Sequence, residues 1–237
     1  MKSLLTDAQL ESSEVVANCL MNRQRQLMGS NSYAKELGFN PLTFIKTRIQ
    51  NHKSAAWLDI CCGTGRALIQ AGESLYKSEL LSQTSLVGVD IVCQFYPYPP
   101  ELTSLELINN SIHTFTTTQK FDLITCVHGL HYLGDKLKVL KRAASWLTDN
   151  GLLVAHLDLT NLWIIEGDQV KPMSRKLLSN AGLKYNNRKK LLYFENRQEL
   201  VFELEYLGAD DCAGANYTGQ AAVNSFYKNR SIIISSM

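Results

Sequence analysis

The sequence predicts an α/β protein: a doubly wound, mostly parallel sheet with an antiparallel edge strand, preceded by a helical N-terminal cap. Three observations predict it. Short apolar runs alternate with amphipathic stretches from about residue 55 onward. The first run, Trp57-Leu58-Asp59-Ile60, ends in the small, glycine-containing turn Cys61-Cys62-Gly63-Thr64-Gly65 and opens into a helix pattern. Two late strand-like runs, Lys190–Phe194 and Leu200–Tyr206, are joined by a short polar segment, as in an antiparallel pair.

The elements follow in order. Residues 12–28 carry a helical pattern, with Val15, Val16, Cys19, Leu20 and Leu27 on or near one face. Gly29-Ser30-Asn31-Ser32 breaks it, and Asn40-Pro41 supplies a cap and a first-turn proline for a helix through about Ile49. Strands are predicted at Ala56–Ile60, Ser85–Asp90, Leu105–Ile108, Phe121–Val127 and Leu152–Leu157. Helices are predicted at Arg66–Leu75, Gly134–Leu147 and Met173–Ala181, the second ending at the turn signal Asp149-Asn150-Gly151 and the third stopped by Gly182. Between Asp90 and Leu105, Pro97, Pro99 and Pro100 exclude a regular helix, so that crossover reads as a loop.

The 237 residues suffice for one full core. The formal net charge of +2 gives no pull toward nucleic acid or membrane. No apolar run has the length of a membrane span or a signal h-region, so the chain reads as soluble, not exported and cytoplasmic. The six cysteines, Cys19, Cys61, Cys62, Cys93, Cys126 and Cys212, form no CxxC pair and mostly lie in apolar contexts; they read as reduced thiols, with no disulfide and no metal site. The basic group Lys184, Arg188, Lys189 and Lys190 has no aromatic platform beside it and reads as a solvated turn, not a nucleic-acid surface.

A glycine turn after the first strand lets a ligand approach the backbone. As a dinucleotide turn, Gly63-Thr64-Gly65-Arg66-Ala67-Leu68 lacks the third glycine, because position 68 is leucine. With its acid included, Asp59-Ile60-Cys61-Cys62-Gly63-Thr64-Gly65 resembles motif I of the class I S-adenosylmethionine (SAM)-dependent methyltransferases, Cys61 standing where the family has a glycine. Val87-Gly88-Val89-Asp90 resembles motif II. Phe121-Asp122-Leu123-Ile124, followed by Leu130-His131-Tyr132-Leu133, looks like the fourth strand and loop of the small-molecule branch, and Asn150–Ala155 like the fifth strand. The resemblance covers about residues 55–160.

It implies a Rossmann-like fold, with a helical cap or lid over residues 1–52 and a methyltransferase domain over residues 53–237, including a C-terminal loop extension, 207–237. It implies SAM as cofactor and S-adenosylhomocysteine as product. Asp59 would hold the ammonium end, Cys61, Gly63 and Gly65 the backbone cradle, Asp90 the ribose hydroxyls with Ile91 beside it, and Asn110 or Ser111 the adenine; Val127 and His128 would line the same site. Tyr33 would close over the SAM carboxylate.

On the acceptor side, His131 and then His128 are the candidate bases, although either histidine could instead stack on adenine or cap the next helix. Asp158, Trp163, Asp211 and Tyr217 are candidate substrate contacts, the last two within the polar stretch Gly208–Gln220. The expected function is methyl transfer to oxygen or nitrogen of a small molecule. An RNA-modifying enzyme and a non-catalytic SAM-binding partner subunit are the alternatives; Leu68 and Asp59 disfavour an NAD-dependent dehydrogenase. Substrate identity and oligomeric state stay open.

Overall fold

The computed structural model describes residues 3–17 and 24–230. Among the described residues the cap contains four helices. The first, α1 (Asp7–Glu11), starts at a reciprocal capping box between Thr6 and Gln9, and α2 (Glu14–Ala17) follows after a break at Ser12-Ser13. Ser32 caps α3 (Tyr33–Leu37), which Gly38 ends in the left-handed region; Asn40 caps α4 (Pro41–His52), with proline in its first turn.

A seven-stranded sheet follows. Its strands are β1 (Ala55–Ile60), β2 (Thr84–Asp90), β3 (Leu105–Asn109), β4 (Phe121–Cys126), β5 (Leu147–His156), β8 (Lys184–Asn186) and β9 (Leu191–Glu195), in the order β3-β2-β1-β4-β5-β9-β8. The first five run parallel; β9 is antiparallel to β5 and β8 antiparallel to β9. Every residue of β1 is buried because helices cover both faces. Alternation along the strand sends Trp57 to the face of α4 and α5 (Arg66–Lys77), where Ile45, Ile49, Leu68 and Leu75 pack; Leu58 and Ile60 go to the face of α6 (Lys136–Ser145) with Leu137 and Leu140.

The remaining strands, β6 (Leu162–Glu166), β7 (Gln169–Pro172), β10 (Leu204–Asp210) and β11 (Asn224–Asn229), form a second sheet in the order β10-β11-β6-β7. The N-terminal segment is bound to its edge: Leu5 and Ala209 exchange backbone hydrogen bonds of 2.8 and 2.9 Å. Lys136, fully buried at the start of α6, links this sheet to the main one. Its ammonium donates to the carbonyls of Leu133 and Val223 and to Ser225 Oγ at 2.7–2.9 Å. Burial pushes its pKa down to about 7 against the opposing pull of Asp135 and Asp7.

Several expectations are corrected. Within the predicted helix over 12–28 the described residues hold α2 at Glu14–Ala17 and no helix at 24–28, and α1 precedes the span, since Ser12 and Ser13 favour ending a helix; Cys19 and Leu20 lie outside the described residues. The polar Asp149-Asn150-Gly151 run is not the turn that ends the helix: α6 stops at Ser145, and the run bulges within β5, where two steps along β4 face five along β5. The antiparallel addition is β9 with β8, not β9 with β10, which belongs to the other sheet. The extension over 207–237 is not all loop: β10 runs through Asp210 and residues 224–229 form β11. The crossover over 91–104 contains no helix, as the prolines require.

If Lys136 links the two sheets, Lys136→Met should leave three buried acceptors without their donor and cost about 2–4 kcal/mol in urea unfolding. An unchanged midpoint would mean the sheets are joined by apolar packing alone.

Candidate active site

The carboxyl ends of β1, β2 and β4 meet where the chain order in the sheet reverses, the position at which doubly wound folds take ligands. Cys61 leaves β1 at φ 56°, a left-handed conformation costly for a residue with a side chain. Gly65 (φ 73°) starts α5, and a Cβ there would fall 2.6 Å from Leu107 Cδ1. Gly129, after β4, sits so close to the turn that a Cβ would meet Cys61 Cβ at 2.4 Å. Asp90 at the end of β2 is anchored by two backbone donors, Gly63 N and Val92 N, each at 2.9 Å.

Between these strand ends and the N-terminal segment lies a small cavity of about 60 Å³, partly open to solvent. Its walls include Cys61, Asp90, Ile91, Asn110 and Val127, with Leu10, Glu11 and Val16 of the cap. Five of the residues assigned to the cofactor thus share one cavity wall. Ser111 is held behind it, its hydroxyl donating to Glu11 and accepting from His113 N at 3.1 Å. Asn110 Oδ1 accepts from Thr114 at 3.0 Å.

Asp59 is buried under the turn. Its two oxygens accept from Thr125 Oγ1 at 2.6 Å and from Tyr33 OH at 2.7 Å, and Thr125 in turn accepts from Trp57 Nε1 at 2.8 Å. Burial pushes the Asp59 pKa up to about 7, against the lowering effect of the two hydroxyl donors. Tyr33 therefore meets the motif acid.

A second cluster lies beyond the ends of β4 and β5. His128, in the left-handed region at φ 62°, stacks on His156 with ring centroids 4.0 Å apart and planes at 11°. Both rings turn Nε2 to one oxygen of Glu36 in α3: His128 at 3.0 Å and His156 at 3.5 Å. The other Glu36 oxygen pairs with Arg25 at 2.5 Å. Burial alone would raise the Glu36 pKa; the hydrogen bond from His128 and the charge of Arg25 bring it down to about 2. Burial, with His128 beside it, takes His156 down to about 2. His128 Nδ1 faces His131 Nε2 at 3.4 Å and Tyr217 OH at 3.3 Å. His131 is fully buried behind His128, and burial holds its pKa well below the usual imidazole range.

Of the predicted acceptor-side residues, the structure brings His128, His131 and Tyr217 together. Asp158 sits just after β5, where it caps Thr160 N at 3.2 Å and pairs with Lys190 at 3.7 Å. Trp163 and Asp211 are placed elsewhere. Trp163 is not on a loop: the β-branched run Leu162–Glu166 and the turn at Gly167 make it part of the β6–β7 hairpin, opposite Pro172 and Phe226. Asp211 follows β10 and borders a hollow with Leu5, Ile165 and Phe226. Sequence reasoning missed Glu36, Arg25 and His156. Glu36 was within reach, three residues after Tyr33 on the same helix face, but nothing local joins it to a histidine 92 residues away.

No helix among the described residues is long and apolar enough to cross a membrane. Among curated proteins the chain is similar to (S)-coclaurine N-methyltransferase of Papaver somniferum, at 24% identity over 169 residues, 70% of this chain and 48% of that protein. It therefore spans about half the length of that relative. Among solved structures, the coclaurine N-methyltransferase bound to N-methylheliamine and SAH aligns over 55% of this chain and 39% of its own at 18% identity, with a TM-score of 0.39. The plantazolicin methyltransferase BpumL, solved with SAH and a pentazolic desmethyl analogue, aligns over 48% and 44% at 20% identity, TM-score 0.37. A family model described as a methyltransferase domain matches residues 24–209. The chain belongs to the methyltransferase-domain family.

Proposed function

We propose that this chain is a SAM-dependent methyltransferase that transfers a methyl group to oxygen or nitrogen of a small molecule, with residues 53–237 as the catalytic domain, residues 1–52 as its cap, and the cytoplasm as its location. The observation that carries the reading is the cavity at the ends of β1, β2 and β4, which combines apolar walls, Cys61 of the turn and a carboxylate anchored at the end of β2. The small-molecule name of the curated relative supports the acceptor class.

In this reading Asp90 receives the ribose hydroxyls, Cys61, Gly63 and Gly65 form the cradle, Ile91, Val127 and either Asn110 or Ser111 surround the adenine, and Asp59 supplies negative charge beneath the ammonium end. SAM supplies a methyl group on a sulfonium. The protein's own task is to align an acceptor lone pair with that methyl. An acceptor that carries a proton meets the cluster of Glu36, His128, His156 and Tyr217. Of the two predicted bases, His128 faces that cluster, while His131, buried behind it, holds the ring in place and acts as a positioning residue. Asp158 lies just past β5 on the same side.

Calorimetry should show micromolar binding of SAM and S-adenosylhomocysteine and none of NAD; NAD binding alone would sink the reading. Asp90→Ala should weaken S-adenosylhomocysteine binding more than about tenfold, or ~1.4 kcal/mol. Unchanged affinity would place the ribose elsewhere.

Asp59 adds a pH dependence. An ammonium bound beside it favours the ionised carboxylate, so its pKa falls from about 7 on binding and a proton is released. Affinity for S-adenosylhomocysteine should therefore drop on going from about pH 8 to about pH 6, with proton release at the lower pH seen as a buffer-dependent binding enthalpy. Equal affinity at both values would separate Asp59 from the ammonium.

A further inference from the structure

We propose that Glu36, His128 and His156 form a binding site for a divalent transition-metal ion of the zinc class beyond the ends of β4 and β5. Each offers one ligand atom, and the three atoms lie within 4.8 Å of one another. A tetrahedral ion with arms of about 2.0–2.1 Å holds its ligand atoms about 3.3–3.4 Å apart. The Glu36 to His128 and Glu36 to His156 separations of 3.0 and 3.5 Å bracket that edge. Two imidazoles and one carboxylate select zinc, cobalt, nickel or iron(II) over magnesium or calcium, which take oxygen ligands.

The surrounding groups fit ligation. A metal-bound imidazole needs a partner for its other nitrogen, and a bound carboxylate needs one for its second oxygen. His128 Nδ1 has Tyr217 OH at 3.3 Å and His131 Nε2 at 3.4 Å; Glu36 Oε1 has Arg25. His156 is 2% exposed and its Nδ1 is buried without a hydrogen-bond partner, so of the two imidazoles only His128 has that outer contact. The stacked rings must splay from their 11° alignment for both nitrogens to aim at one centre.

The three ligands come from α3, the end of β4 and the end of β5, so a bound ion cross-links the cap to the sheet. Three protein ligands leave a tetrahedral ion one further position. The class of ligand for that position is a lone-pair oxygen or nitrogen donor, and its identification with the methyl acceptor rests on the function proposed above. In the loaded state His128 gives Nε2 to the ion, and the ion's charge, not the imidazole, lowers the acceptor's pKa.

The test uses the full chain carrying Cys212→Ser, which removes the other candidate group, Asp210, Asp211 and Cys212. After chelator treatment, Zn²⁺ is titrated against a chromophoric chelator and Co²⁺ is followed by its visible bands. One Zn²⁺ per chain at micromolar affinity or tighter is expected, with tetrahedral-type Co²⁺ absorption. Glu36→Gln and His156→Ala should each weaken it by about 100-fold while thermal unfolding and S-adenosylhomocysteine binding show an intact fold. If His156→Ala does not fold, His156→Gln replaces it. Zn²⁺ binding that survives these variants, or none at 100 times the protein concentration by about the micromolar range, overturns the proposal. S-adenosylhomocysteine binding without Zn²⁺ binding would sink the metal site and leave the methyltransferase reading standing; the converse would do the reverse.

Discussion

A single buried carboxylate organises this molecule. Asp59 ends its strand under the ligand turn, and both of its oxygens are held by hydroxyls, one from β4 and one from the cap. Leaving either donor out would strand a polar oxygen in the core. The requirement fixes where Tyr33 sits, and with it α3. Glu36, one turn further along that helix, is then carried to the ends of β4 and β5, where it meets His128 and His156. The position of the cap and the composition of the second cluster both follow from satisfying Asp59.

Two residues with side chains adopt left-handed backbone at this point, Cys61 after β1 and His128 after β4. Each conformation costs of order 1–3 kcal/mol and needs support from its surroundings. The support is mutual: Gly129, next to His128, packs directly on Cys61. The same contact that admits the turn aims His128 away from the cavity wall and toward Glu36. Cavity and cluster are therefore two outcomes of one close approach between neighbouring strand ends.

The residues around β1, β2 and β4 were legible because their signals are local: an apolar run, an acid at its end and small residues in the turn. Cys61, Asp90, Ile91, Asn110 and Val127 were assigned together from sequence, and the structure places them on one cavity wall. The second sheet was not legible. Leu204–Asp210 and Asn224–Asn229 become strands by pairing with each other across a polar loop, and β11 then pairs with β6, about sixty residues away in sequence. Leu200–Tyr206 reads as a strand and overlaps β10, but over residues 207–237 local composition favoured a loop, which tertiary pairing overrode at Asn224–Asn229. The same holds for Trp163, whose place on β6 depends on Phe226. Glu36 and His156 read as an ordinary helix residue and an ordinary strand end until the fold joins them.

The N-terminal segment has a kinetic consequence. Its helix α1 is five residues long, too short to persist alone in water, so it exists only while docked. It is held there by Leu5 on β10, by Asp7 contacts to Asp135 and Tyr206, and by Leu10 in a small apolar cluster with Val223 and Ala209. Leu10 and Glu11 are also part of the cavity wall. A molecule leaving through that side would do so past a segment that unfolds as it detaches, so its exchange there would follow a local folding equilibrium as well as its own contacts.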